Sequence, residues 1–142
     1  MLRVQHLLGV KGTEVWSVEA EEPVLRAIQI MADRHVGALP VMRGEELVGM
    51  VSERDYARKV ILLGRSSAET LVWEIMTSPV ITVTRDQTVH DCMQMVTDRR
   101  VRHLPVVEKN RLVGMISIGD LVRAVIEEQQ QTIDHLERFI SG

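Results

Sequence analysis

The hydrophobic and polar positions of this chain follow one pattern that occurs twice. Apolar and β-branched runs at residues 15–18 and 80–84 predict strands, and each run precedes a segment with apolar residues at helical spacing. Two further apolar runs joined by a polar turn then predict a hairpin in each half. Because a second helix is predicted from Asp55 and from Asp120, the element order is β-α-β-β-α, twice.

The two halves are also related in sequence. Residues 15–61 align without a gap on residues 80–126, and 19 of the 47 aligned positions are identical. A weaker similarity between residues 4–8 and 72–76 adds a short helix before each first strand. One unit of about 50 residues cannot bury both faces of a three-stranded sheet. We therefore predict an α/β fold of two tandem repeats packed with pseudo-twofold symmetry.

The repeat suggests where the chain divides. Residues 1–65 are interpreted as repeat one with an N-terminal helix, and residues 66–142 as repeat two with a linker helix and a C-terminal helix. A capping-box pattern at residues 66–69 predicts the start of the linker helix. The last helix is predicted to be long, because apolar residues keep three-to-four spacing to Ile140. Its stripe fits packing on its own module and packing across a dimer equally well.

Composition narrows the class of function. The chain is 45% hydrophobic and 26% charged, which is ordinary for a soluble globular protein. An aromatic fraction of 3% and a net charge of -3 argue against binding nucleic acid or an anionic membrane. No apolar run approaches the ~18 residues of a membrane span, and no signal peptide is evident. Cys92, the single cysteine, is read as a core residue. Because it cannot form an internal disulfide, the sequence suits a reducing compartment, and we expect a cytoplasmic protein.

Several motifs together resemble a known family. Residues 75–83, 102–107 and 114–121 resemble a CBS domain, and the first copy, ending at residues 49–56, looks like its partner. The pair resembles a Bateman module over roughly residues 1–127. The resemblance implies a regulatory homodimer that binds an adenosine nucleotide such as AMP, ATP or NAD(H) and signals to an unidentified partner protein. S-adenosylmethionine stays open as a ligand.

The candidate site in each repeat is an S-x-x-D motif where a strand turns into a helix. The motifs run from Ser52 to Asp55 and from Ser117 to Asp120. Free N–H groups at a helix start favour phosphate, and an aspartate there can accept ribose hydroxyls. The same pattern is also close to a capping box, which stabilises a helix without any ligand. Gly49 and Gly114 are read as points where a ligand approaches the backbone.

The two candidate sites differ in charge. Arg102 and His103 stand where the first repeat has residues 37–38, and Gly119 stands where it has Arg54. The resemblance implies that residues 102–103 point to ligand phosphates and pair with the motif of the other repeat. We therefore expect a phosphate-binding site at Asp55 and a roomier, less charged site at Asp120. The candidate ligand-binding residues are Ser17, Gly37, Ala38, Ser52, Arg54, Asp55, Val80, Thr82, Arg102, His103, Pro105, Met115, Ser117, Ile118, Gly119 and Asp120.

Two other classes of function compete with a nucleotide sensor. In a ligand-independent interaction module that dimerises through its helices, both motifs would only cap helices. An enzyme is disfavoured, because no nucleophile elbow, P-loop or metal motif surrounds the Ser, His and Asp residues. We expect no catalytic residue, no metal and no catalytic cofactor.

Overall fold

The computed structural model describes residues 1–141, and its elements follow the predicted order, except that the predicted first strand of the second repeat is only a single bridge. In the first repeat they are α1 (Val4–Lys11), β1 (Val18–Glu19), α2 (Val24–Arg34), β2 (Ala38–Arg43), β3 (Glu46–Ser52) and α3 (Glu53–Tyr56), which continues as a π-helical segment (Ala57–Ile61). The remaining elements are α4 (Val72–Ile75), α5 (Val89–Arg99), β4 (His103–Glu108), β5 (Arg111–Ser117) and α6 (Ile118–Ser141). The mixed α/β class and the long C-terminal helix are confirmed.

The first strand of each repeat is shorter than the sequence predicts. β1 has two residues, which pair in parallel with β2. In the second repeat the predicted strand at 80–84 is one parallel bridge between Val83 and Val106. There the N–H of Val83 donates to the carbonyl of Pro105 at 3.0 Å, and its carbonyl accepts from Val107 at 2.9 Å. β-Propensity reports how well a side chain fits a pleated surface, so it does not fix the length of the hydrogen-bonded ladder.

The chain forms two compact units, and these cross the boundary between the repeats. Unit 1 contains residues 1–13, 82–108 and the chain from Val113 onward, and unit 2 contains residues 14–81 and 109–112. α1 therefore shares a unit with β4 and most of β5, while α4 shares a unit with β2 and β3. The predicted boundary between residues 65 and 66 therefore separates the two sequence repeats and not the two compact units. α1 lies in unit 1, whereas the remaining elements of the first repeat lie in unit 2.

A glycine in each hairpin makes room for the helix that packs on it. A Cβ atom on Gly114 would lie 2.7 Å from Cδ2 of Leu8, and one on Gly49 would collide with Sδ of Met76. Leu8 and Met76 are equivalent in the extended repeat, so its two short helices play the same packing role. The reading of these glycines as points of ligand approach is wrong, because side chains of the protein fill the space.

Each unit has its own apolar core. In unit 2 the core is formed by Val18, Ala20, Val24, Ala27, Met31, Leu39, Val41, Val51, Val60, Val72 and Ile75. In unit 1 the buried side chains include Val4, Leu8, Val83, Cys92, Leu104, Val106, Ile116 and Leu121. Burial, with a smaller contribution from Asp91, raises the pKa of the Cys92 thiol to about 11, so this residue is the inert core side chain that the sequence predicts.

The linker helix begins later than predicted. The N–H of Glu69 donates to Oγ of Ser66 at 3.3 Å, but this bond closes only a turn. The backbone is extended at Leu71, which bridges to Pro23, so α4 cannot start before Val72. A single turn satisfies the capping pattern as well as a helix does.

No helix within residues 1–141 has the length and apolar character needed to cross a membrane.

The close approach at Gly49 gives a stability prediction. Gly49→Ala should lower the free energy of unfolding by about 1–3 kcal/mol, because the new methyl group overpacks against Met76 and the Thr77 carbonyl. Gly9→Ala is the matched control, since a Cβ there meets nothing within 4 Å and should stabilise α1 by about 0.5–1 kcal/mol. Urea unfolding measures both, and a Gly49→Ala protein as stable as the wild type would contradict this packing.

Candidate functional site

Both S-x-x-D motifs lie where a strand turns directly into a helix. The carboxylate of Asp55 accepts from the N–H of Ser52 at 2.9 Å, and that of Asp120 accepts from the N–H of Ser117 at 2.8 Å. In return, each serine Oγ accepts from the aspartate N–H, at 3.1 Å and 3.2 Å respectively. Each aspartate is therefore held in one orientation at the first turn of its helix, with lone pairs left for a further donor.

A lysine completes the group around Asp55. Nζ of Lys59, one helical turn further on, lies 3.2 Å from Oδ1 of Asp55 and donates to the carbonyl of Ile75 at 2.9 Å. The Asp55 side chain is 15% exposed, so solvent or a ligand can still reach it. The backbone of Gly37 lies beside the same motif, because its carbonyl accepts from the N–H of Glu53 at 3.0 Å.

Two cations surround Asp120. Nζ of Lys11, from the last turn of α1, lies 2.5 Å from Oδ2 of Asp120 and donates to the carbonyl of Met115 at 2.8 Å. Nη2 of Arg123 donates to Oδ1 at 2.6 Å. Burial alone would raise the pKa of Asp120, but the hydrogen bonds from Lys11 and Ser117 together outweigh it and lower the pKa. The carboxylate is thus ionised, although its side chain is only 9% exposed.

Arg102 and His103 lie beside the Asp120 motif of their own repeat. The N–H of Ile118 donates to the carbonyl of Arg102 at 2.9 Å. Burial first, and then the charges of Lys11 and Arg102, lower the pKa of His103 against the opposing effect of Asp120. The imidazole is therefore mostly neutral at pH 7, so one ring nitrogen can donate a hydrogen bond and the other can accept one.

The expectation of lower charge around Asp120 is wrong. Lys11 and Arg123 both contact this carboxylate, whereas Lys59 is the cation paired with Asp55. The comparison of aligned positions missed Lys11 because α1 precedes the aligned segment and belongs to the unit of the second repeat. The predicted pairing of residues 102–103 with Asp55 would join the two units, so it stays a prediction.

The candidate residues are divided between the two units. Unit 1 contains Thr82, Arg102, His103, Pro105, Met115, Ser117, Ile118, Gly119 and Asp120. Unit 2 contains Ser17, Gly37, Ala38, Ser52, Arg54, Asp55 and Val80. Ser17 and Arg54 are exposed and Pro105 is buried, with its carbonyl used in the bridge to Val83.

Three cationic residues were missed by the sequence reasoning, and the signals that could have found them differ. Lys59 and Arg123 follow their aspartates by four and three positions on one helix, a spacing typical of ion pairs. Lys11 gives no local signal, because 109 positions separate it from Asp120. Within residues 1–141, no group of three or more His, Cys, Asp and Glu side chains is placed to hold a metal ion.

Comparison with known protein families identifies the same domain twice, once around each hairpin and its following helix. The CBS domain family model matches residues 10–61 and 72–127. The chain belongs to the CBS-domain family. It contains a CBS pair, and the two matched segments coincide with the two repeats found in the sequence.

The CBS pair resembles both a curated protein and solved structures. It is 43% identical over 136 residues to the mitochondrial CBS domain-containing protein CBSX3 of Arabidopsis thaliana, covering 92% of this chain and 66% of the relative, or just under two thirds of its length. The crystal structure of the CBS domain protein NE2398 is 45% identical, with a TM-score of 0.83 over 87% of this chain and 97% of that one. The CBS domain pair of MJ0100, in complex with 5′-methylthioadenosine and S-adenosyl-L-methionine, is 22% identical, with a TM-score of 0.80 over 90% of this chain and 98% of that one.

The Lys11 contact gives a prediction about stability and pH. Because the folded-state pKa of Asp120 is lowered, its ionisation stabilises the fold above the unfolded-state pKa of about 3.9, and this stabilisation is lost as the pH falls through the lower folded-state value. Lys11→Met should therefore destabilise unit 1 by about 1–2 kcal/mol at pH 7, since Lys11 is partly exposed and Arg123 still pairs with Asp120.

The difference between variant and wild type should be smaller at pH 3 than at pH 7, because protonation of Asp120, as the pH falls towards its lowered pKa, removes the charge that pairs with Lys11. Urea unfolding at the two pH values measures it, with Lys109→Met, at an exposed turn, as the matched control. An equal loss of stability at both pH values would show that Lys11 acts by packing and not by its charge.

Proposed function

We propose that this CBS pair binds adenosine nucleotides and reports their binding to a partner protein through a change of conformation. The observation that carries the proposal is the pair of aspartates, Asp55 and Asp120, each oriented by a serine at a helix start and each paired with a lysine. A carboxylate fixed in this way accepts two vicinal hydroxyl groups, as acidic residues do in dinucleotide sites. AMP, ATP and NAD(H) all present such a ribose.

The cations beside each aspartate fit the phosphate part of such a ligand. When a ribose hydroxyl takes the place of Lys11 or Lys59 at the carboxylate, the freed ammonium group becomes available to phosphate oxygens. The N–H groups at the start of the helix add a further attraction for anions. Because Arg123 and Arg102 also belong to the Asp120 group, we propose that this group prefers the more highly phosphorylated ligand.

A CBS pair of the same fold binds ligands of the adenosine class. The MJ0100 pair holds two molecules that share an adenosine group. We also propose that the protein is a regulatory homodimer. We propose that it is no enzyme, because each serine Oγ beside an aspartate is engaged in a capping hydrogen bond and is not set up as a nucleophile. A reducing, cytoplasmic location suits the buried free thiol of Cys92.

A ligand-independent interaction module is the second candidate. It is favoured by the complete capping bonds in both motifs, since Ser52 with Asp55 and Ser117 with Asp120 satisfy one another without a ligand. In that case each aspartate stabilises its helix by about 1 kcal/mol and has no other role.

Calorimetric titration with nucleotide analogues distinguishes the two candidates. ATP, AMP or NAD(H) should give saturable heat, and 2′,3′-dideoxy-ATP should bind at least about tenfold more weakly, because both hydroxyls accepted by the carboxylate are missing. Asp55→Asn and Asp120→Asn should each abolish or weaken one site. Asp98→Asn, at an exposed position of α5, is the matched control and should leave binding unchanged.

The opposite outcome is equally clear. If no adenosine nucleotide gives heat, and the Asp→Asn variants lose the same stability with and without nucleotide, the motifs are caps and the interaction module is correct. Equal affinity for ATP and dideoxy-ATP would exclude ribose recognition by these carboxylates.

A further inference from the structure

The second half of α6 leaves an apolar face uncovered. No residue of this helix after Ala124 is buried within the chain that the structure describes. Ile126, Ile133 and Leu136 are 58%, 46% and 53% exposed, and Phe139 and Ile140 are each 82% exposed. Of the two alternatives that the sequence left open, packing on its own module therefore does not occur here, and a face of this size in water indicates a partner.

The uncovered face has a heptad pattern. Its positions are spaced alternately by four and three residues, which is the repeat of a two-stranded coiled coil. We call these positions the seam, and they are Val122, Ile126, Gln129, Ile133, Leu136 and Ile140. Beyond Ala124 the opposite face of the helix is polar, with Glu127, Glu128, Gln131, Asp134, His135 and Arg138.

We propose that the seam pairs with the seam of a second copy of this chain, in an antiparallel coiled coil whose twofold axis passes midway between Gln129 and Ile133. The interface is that of the homodimer proposed above, and it requires no nucleotide. In this register Val122 lies opposite the partner's Ile140, and Ile126 lies opposite the partner's Leu136. At the centre Gln129 lies opposite the partner's Ile133, and the symmetry repeats all three contacts, so all six seam positions are used.

The residues that flank the seam select the antiparallel direction. Arg123, whose Nη2 also donates to Asp120, faces the partner's Glu137, so each end of the pair has opposite charges. On the other flank, Val125 faces the partner's Phe139, which continues the apolar contact. A parallel pair would stack Gln129 on its own copy, leave Phe139 without an apolar neighbour and separate Arg123 from Glu137. Charge and apolar surface therefore match in one direction only.

The area available is sufficient for a specific dimer. Six large apolar side chains per copy, including Phe139, are between 41% and 82% exposed. Covering them removes on the order of 500 Å² per copy, or about 1,000 Å² for the pair, which is the lower limit for a specific interface. Additional contacts between the two modules can only enlarge it.

Sedimentation of the full chain without nucleotide tests whether the seam holds the dimer. Wild type should be a dimer at micromolar concentration, and Ile133→Lys should shift it to monomer. Gln131→Lys, a neighbour on the polar face, should stay a dimer and is the matched control. Circular dichroism reports whether Ile133→Lys remains folded. A monomeric wild type, or an Ile133→Lys protein that is still dimeric, would overturn the proposal.

Crosslinking of mixed variants tests the direction. Val125→Cys and Phe139→Cys chains are mixed and treated with a short bismaleimide, and the native Cys92 is buried and unreactive. The mixture should crosslink and neither variant alone should, because these positions are neighbours only in the antiparallel pair. In a parallel pair they lie about 21 Å apart along the axis. Crosslinking of Phe139→Cys alone, or none in the mixture, would overturn the antiparallel arrangement.

Nucleotide affinity of the dimer and of the Ile133→Lys monomer is measured separately, so failure of either proposal is seen on its own.

Discussion

The hydrogen bond from the last N–H of a strand to a carboxylate three residues later organises both halves of this CBS pair. It joins Ser52 to Asp55 and Ser117 to Asp120, and it fixes the angle at which each helix leaves its hairpin. At Asp55 this bond occupies one carboxylate oxygen and the other faces Lys59. At Asp120 Lys11 contacts the same oxygen as the Ser117 N–H, and Arg123 contacts the other. A feature that caps a helix thereby also provides a negatively charged acceptor, so stability and the proposed ligand recognition depend on the same atoms.

Each of the short helices α1 and α4 lies in the unit that holds the other repeat's hairpin, and this gives Asp55 and Asp120 different surroundings. α1 lies in the unit of the second repeat, where Leu8 packs on Gly114 and Lys11 reaches Asp120. In the other unit Met76 packs on Gly49, but the lysine comes from the helix of Asp55 itself. A ligand that displaces Lys11 would loosen the end of α1, whereas a ligand that displaces Lys59 would act on the segment after α3. In the proposed function, occupation of the two acceptors would thus be coupled to different parts of the chain.

Most of the fold could be predicted from the sequence, because the duplication and the hydrophobic spacing are strong, local signals. The hairpins, the long helix and the caps at Ser52 and Ser117 all depend on residues close together in the chain. The errors arose where distant segments meet. Gly49 and Gly114 were read as ligand contacts because nothing local shows that Met76 and Leu8 fill the space. The charge at Asp120 was underestimated for the same reason, since Lys11 arrives from a helix outside the aligned repeat.

Native mass spectrometry of the full chain tests the central claim, that the capped aspartates are adenosine-nucleotide acceptors. In the presence of ATP, each chain should gain the mass of one or two nucleotides. Asp120→Asn should lose one of them, and the Asp55→Asn/Asp120→Asn double variant should gain none. A chain that keeps its bare mass at millimolar ATP, or a folded double variant that binds as the wild type does, would contradict the claim.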